Sequence, residues 1–284
     1  MTRSDVLYAP SRAVRISPSV PVSVPVDAHV SGSRRRLPPS SQRRRRPPAP
    51  AAGAIVQVAL LALLAATTGL GPAGLLAGLA YAVGLGATLT VAMRHRGVRA
   101  LGPADHVTLA RATLTGCVTA IVANAFWTPA ASTVLLVPVA AVALALDAVD
   151  GHVARRTGTA SPLGARFDME VDAFLILVLS VFVAGSLGAW VLAIGAMRYG
   201  FAAASRPLAW LAAPLPPSMA RKTIAALQGI ALTVAAAGVL PRPAAAAVVG
   251  LALAALAWSF GRDVHWLARA HGRDRALMAA RGLA

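Results

Sequence analysis

The chain has 284 residues, 57% of them apolar and only 13% charged, with a mean hydropathy of +0.67. That composition excludes an ordinary soluble domain and reads as a polytopic membrane protein, although a formal charge of +17 leaves nucleic acid as a partner to be weighed. Its single cysteine, Cys117, excludes an intrachain disulfide and a thiolate metal site and reads as a small buried thiol.

Much of the positive charge precedes the first apolar run, in Arg34-Arg35-Arg36 and Arg43-Arg44-Arg45-Arg46, set among Pro and Ser. Residues 1–50 cannot build a core and are expected to form a disordered arginine- and proline-rich segment. Beside a membrane span its expected partner is anionic lipid of the cytoplasmic leaflet, and nucleic acid is not expected. The segment does not look like a signal peptide, because the apolar run begins too late and no cleavage site follows a short apolar core.

Apolar runs from Ala54 to Leu70 and Ala73 to Met93, parted by Gly69-Leu70-Gly71-Pro72, predict an N-terminal transmembrane hairpin over 54–93. The basic stretch 94–99 follows, and Asp105 to Thr115 makes a polar entrance to a helix that ends before Pro129. Further spans are expected over Ala131–Asp150, Phe167–Ala184, Leu187–Ala204, Ile224–Leu240 and Ala244–Phe260. Eight spans place both termini, and the basic positions 34–46, 94–99, 155–156, 206, 221–222 and 262–273, on one side of the membrane. The charge rule makes that side cytoplasmic. The expected fold is therefore an all-α polytopic transmembrane bundle in the cell membrane, with residues 263–284 as a basic cytoplasmic tail.

Five of the ten acidic residues fall within 147–172, flanked by these spans. Asp147 and Asp150 are three apart, and Asp168 and Asp172 four apart, so each pair shows one face of a continuous helix. Gly151 and Gly164 would let two such helices approach closely, bringing four carboxylates within reach of one or two small hard cations. Carboxylates beside hydrocarbon need such a cation, and the simplest use of metal there is chemistry on a phosphate with a lipid tail.

The run Asp147-x2-Asp150-Gly151-x2-Ala154-Arg155-x8-Gly164-x3-Asp168-x3-Asp172 resembles the complete signature of the CDP-alcohol phosphatidyltransferase family. The resemblance covers six spans within 105–262 and leaves the hairpin and the arginine-rich segment as additions. It implies an integral membrane enzyme, usually a homodimer, with a cytoplasmic site. Such an enzyme transfers the phosphatidyl group of a CDP-linked lipid, typically CDP-diacylglycerol, to the hydroxyl of a small alcohol and releases CMP. Carried onto this chain, Asp147, Asp150, Asp168 and Asp172 would surround two divalent ions, Mg²⁺ or Mn²⁺, and Asp172 would be the general base. Gly151, Ala154, Arg155 and Gly164 would shape the nucleotide pocket.

Thr108 and Arg111 resemble a polar helix start of the same family and are candidates to contact the nucleotide, with interfacial anchoring as the alternative; Asp105 stands where an asparagine is common. Arg221-Lys222-Thr223 with Gln228 resembles another family helix start, which makes Arg221 and Lys222, together with Arg198 and Arg206, candidates for an acceptor or lipid phosphate. Glu170 is expected to meet solvent or a basic partner, and His152 to be a spacer. Extra arginines lean the expected acceptor toward glycerol 3-phosphate or an inositol phosphate. The competing reading is a non-catalytic divalent-cation-binding membrane protein or transporter, which would have no need of the glycine, alanine and arginine spacing.

Overall fold

Proline at the first helical turn, preceded by a residue in extended conformation, starts three of the helices: Gly71-Pro72, Gly102-Pro103 and Ser161-Pro162. The computed structural model describes residues 49–97, 101–127, 129–157 and 161–280, so the arginine-rich segment expected over 1–50 lies outside the described residues apart from its last two. The helices are α1 (Ala49–Thr68), α2 (Pro72–His95), α3 (Pro103–Ala125), α4 (Pro129–Thr157), α5 (Pro162–Leu187), α6 (Leu192–Ala204), α7 (Met219–Ala236) and α8 (Arg242–Ala280). Two short 3-10 turns accompany them, and there is no strand among the described residues. Five helices, α1, α2, α3, α5 and α8, are long and apolar enough to cross a membrane; α4 and α6 contain shorter apolar stretches. The architecture is an all-α membrane bundle.

The N-terminal hairpin turns at Gly69, whose φ of +65° suits a residue without a side chain. Asn124, near the end of α3, accepts a hydrogen bond from the Gly71 N–H at 2.8 Å and so caps the start of α2. The glycine spacing Gly74-x3-Gly78 serves packing: a Cβ at Gly74 would lie 2.7 Å from the Ala120 carbonyl oxygen, and one at Gly78 2.6 Å from Leu61. Gln57 of α1 is buried over Gly116 of α3, and its amide nitrogen reaches the Cys117 sulfur at 3.9 Å. Cys117 is the buried free thiol that the sequence predicts.

α3 is the central helix, with 67% of its apolar window buried against 17% in α1 and in α2. Its Val118 and Ile121 meet Leu136 of α4, Leu175 and Leu179 of α5, Leu232 of α7 and Val249 of α8 in the main core. Burying such side chains contributes about 1.5–3 kcal/mol each in water-soluble cores; in lipid the gain is close packing, which small residues permit. α6 lies so near α5 at Gly195 that a Cβ there would sit 2.5 Å from the Leu177 Cα, a backbone atom with no means of moving aside. Gly195→Ala is expected to destabilise the bundle by about 1–3 kcal/mol, read as a lower thermal unfolding temperature in detergent.

α7 and α8 are clasped by Gln228, whose side-chain nitrogen donates to the Ala252 carbonyl at 2.9 Å. α8 does not stop at Phe260, where the last span was expected to end, but continues as helix to Ala280. An apolar window marks the part of a helix that lipid covers, whereas helix itself continues through polar residues of good propensity. Contacts outside the apolar part support the extension: Asp263 pairs with Arg221 at 3.0 Å, and the His271 ring stacks on Trp210 with centroids 6.1 Å apart.

Candidate active site

The site is built where the N-termini of α3 and α5 meet the C-terminal half of α4. Asp105, at the third position of α3, accepts a hydrogen bond from the Gly102 N–H at 2.9 Å and is buried. Its carboxylate caps the helix and complements the positive end of the helix dipole. On α5, Ser161 accepts from the Gly164 N–H at 2.8 Å and caps in the same way. The two caps press together at Gly164, where a Cβ would collide with the Asp105 carboxylate oxygen Oδ1. Leu89 and Met93 of α2 pack with Leu109 of α3 and Leu163 of α5, so the end of the hairpin supports the same junction.

That approach sets Arg111 of α3 opposite the acidic residues of α4 and α5. Arg111 is fully buried; its Nη1 donates to Asp147 Oδ1 and its Nη2 to Asp168 Oδ1, with Asp172 Oδ1 3.2 Å from Nη2. The three aspartate side chains remain partly open, at 41%, 35% and 35% exposure. One carboxylate oxygen from each lies within 4.8 Å of the others, and this is the one such group of potential metal ligands among the described residues. Hard oxygen donors that close together suit a small divalent cation.

Of the expected site residues, Asp147, Asp168 and Asp172 therefore converge. α4 remains helical through Asp150, Gly151, Ala154 and Arg155, but their side chains lie outside the described residues, as does that of His152. Thr108 is buried, and its hydroxyl donates to the Ala104 carbonyl at 3.3 Å. Full burial and an acidic shell replace the interfacial anchoring offered as the alternative for Arg111. Glu170 points away to pair with Arg198 at 2.7 Å, the basic partner that was one of its expected surroundings. Arg221 pairs with Asp263, whereas Arg206 and Lys222 are exposed and make no ion pair among the described residues.

Sequence reasoning missed two things here. It left the contact of Asp105 open, although a Gly-Pro pair followed by an acid at the third helical position is a readable capping signal. It also did not foresee Arg111 as the partner of the acidic cluster, because the pair is separated by 36 residues to Asp147 and 57 to Asp168.

A helical bundle with apolar spans and a half-open carboxylate centre carried by two of its helices defines an integral membrane protein with a partly exposed polar site. The family model described as CDP-alcohol phosphatidyltransferase matches residues 102–261, and the chain belongs to that family. The match starts at the cap of α3 and ends within α8, leaving α1 and α2 outside it. Membership makes the chain a transferase of phospholipid biosynthesis, in a family that moves a phosphatidyl group from a CDP-alcohol to an alcohol and uses divalent metals. Neither the curated proteins nor the solved structures compared with the chain gave a match.

Proposed function

We propose that this chain transfers the phosphatidyl group of CDP-diacylglycerol, or a closely related CDP-lipid, to the hydroxyl of a small alcohol and releases CMP. The observation that carries this reading is the convergence of Asp147, Asp168 and Asp172 from two helices on one half-open centre inside the matched region. Asp150, one helical turn beyond Asp147, completes the set, and Mg²⁺ or Mn²⁺ ions, two in number, are its cofactor. Bound there, divalent ions supply charge neutralisation for the pyrophosphate and for the departing CMP.

The chain's own residues supply position and proton transfer. Asp172 is the general base: as the acceptor oxygen bonds to the lipid-side phosphorus, the hydroxyl proton passes to its carboxylate. The P–O bond to CMP breaks in the same displacement, and its electron pair leaves with the nucleotide phosphate. Gly151, Ala154 and Arg155 line the nucleotide, and Gly164 keeps that side of the pocket open. Thr108 and Arg111 support it from α3. The basic positions of the expected topology support a site that faces the cytoplasm together with both termini, with the arginine-rich segment held to anionic lipid. The family resemblance adds a homodimer.

A phosphorylated acceptor, glycerol 3-phosphate or an inositol phosphate, agrees best with the surplus of cations. Among the four candidates, Arg198 and Arg221 are already neutralised by Glu170 and Asp263, so Arg206 and Lys222 are the stronger choices for acceptor or lipid phosphate. Lys222→Ala or Arg206→Ala is expected to raise the KM for a phosphorylated acceptor about tenfold with little change in thermal unfolding, and Arg198→Ala to change it less than about threefold. Steady-state kinetics on the three variants checks this ordering. The acceptor itself is found by incubating purified protein with CDP-diacylglycerol, Mn²⁺ and glycerol 3-phosphate, inositol 1-phosphate, inositol or serine in turn. Mass spectrometry of the lipid extract should show one new phospholipid; unchanged donor with all four would oppose this donor and acceptor class.

A further inference from the structure

We propose that Arg111 is a positioning residue for the metal centre, a built-in counter-cation that gathers Asp147, Asp168 and Asp172 before a divalent ion arrives and whose charge that ion must oppose. The inference rests on the metal-holding reading given above and adds a role that the nucleotide assignment of Arg111 does not contain.

The physical case begins with two groups that cannot stand alone. A guanidinium with no exposure has lost its hydration and needs carboxylate partners, while three carboxylates within 4.8 Å of one another repel unless a cation lies among them. Each meets the other's need. The fork of arginine suits the geometry: one arm reaches Asp147 on α4 and the other Asp168 and Asp172 on α5, so a single planar cation ties two helices from a third. A lysine ammonium, a point charge, would keep the sign and lose the span.

The arrangement also has a direction. Arg111 is fully buried and the three aspartates are partly exposed, so the guanidinium lies on the buried side of the carboxylates. Three carboxylates gathered on one guanidinium make a centre whose negative charge a divalent ion would also oppose. The ion and the guanidinium then draw on the same negative charge and repel each other. Coupling of this kind is reciprocal: whatever Arg111 contributes to the metal-free fold, it contributes less once metal is bound, so removing it must tighten metal binding.

The test uses full-length protein in detergent, as wild type, Arg111→Gln and Arg111→Lys, with thermal unfolding in EDTA and in saturating Mn²⁺ and a Mn²⁺ titration followed by electron paramagnetic resonance. Arg111→Gln should unfold earliest in EDTA, gain the largest rise with Mn²⁺, and bind Mn²⁺ roughly tenfold more tightly than wild type. Arg111→Lys should fall between the two. If Arg111→Gln cannot be purified, Arg111→Lys carries the same comparison, with a lower unfolding temperature in EDTA and a larger Mn²⁺-induced rise than wild type. A rise equal to or smaller than that of wild type in the variants would overturn the proposal, since Arg111 would then only pack or would help to hold the ion. No Mn²⁺ effect on any of the three proteins, wild type included, would instead remove the metal-holding reading and this inference with it.

Discussion

Asp172→Asn is expected to reduce CMP release by at least about a hundredfold while leaving the protein folded and lowering metal binding far less than turnover. Asparagine keeps the shape of the side chain and one oxygen near Arg111, which retains Asp147 and Asp168 as partners. What it lacks is a lone pair basic enough to accept the hydroxyl proton. Asp147→Asn provides the contrast. Asp147 is the partner of one full arm of the guanidinium and a member of the ligand group, so its loss should weaken metal binding as well as turnover. Raising Mn²⁺ should therefore recover part of the activity of Asp147→Asn and none of that of Asp172→Asn. CMP release measured against Mn²⁺ concentration separates them, and an Asp172→Asn protein that turns over like wild type would remove the assigned base.

The second large effect is expected at Gly164. Because a Cβ there meets Oδ1 of a carboxylate whose other oxygen, Oδ2, is held by the Gly102 N–H, alanine cannot be admitted by a simple side-chain rotation. Either the cap of α3 opens or α5 moves away, and the second displaces Asp168 and Asp172 from Arg111. Gly164→Ala should cost about 1–3 kcal/mol of stability, with activity falling by more than the stability loss explains. Asp105→Ser, which withdraws the obstructing oxygen, should partly rescue it. A double-mutant cycle on thermal unfolding should then give a coupling of about 1 kcal/mol or more, and additive losses would show that the two caps do not press on each other.

How far the sequence foretells this structure depends on the range over which each residue acts. The acidic pattern at 147–172 could be read because its spacing is local: helical periodicity alone pairs Asp168 with Asp172, and helix does run through Asp147 and Asp150. The hairpin was readable for the same reason, from two apolar runs and a Gly-Pro turn. Arg111 was seen as a polar residue at a helix start, but its partnership with the acidic cluster is a property of how three helices pack, which no window of sequence contains. Gly164 was noted as a small residue that lets helices approach, yet the specific neighbour, the capping carboxylate of Asp105, lies on another helix. The continuation of α8 past Phe260 was hidden because a hydropathy window stops at Gly261-Arg262-Asp263 while backbone hydrogen bonding does not. Gln57 over Gly116 and Gln228 against Ala252 were equally out of reach, since a glutamine in an apolar run gives no sign of which neighbouring backbone receives it.

The most direct test of the central claim is CMP release by purified protein given CDP-diacylglycerol, measured with and without an alcohol acceptor and with Mn²⁺ or EDTA. The account predicts release that requires both acceptor and divalent metal and is absent from Asp172→Asn. CMP release that proceeds unchanged in EDTA, or its absence from folded, metal-binding protein with every acceptor and CDP-lipid offered, would contradict it.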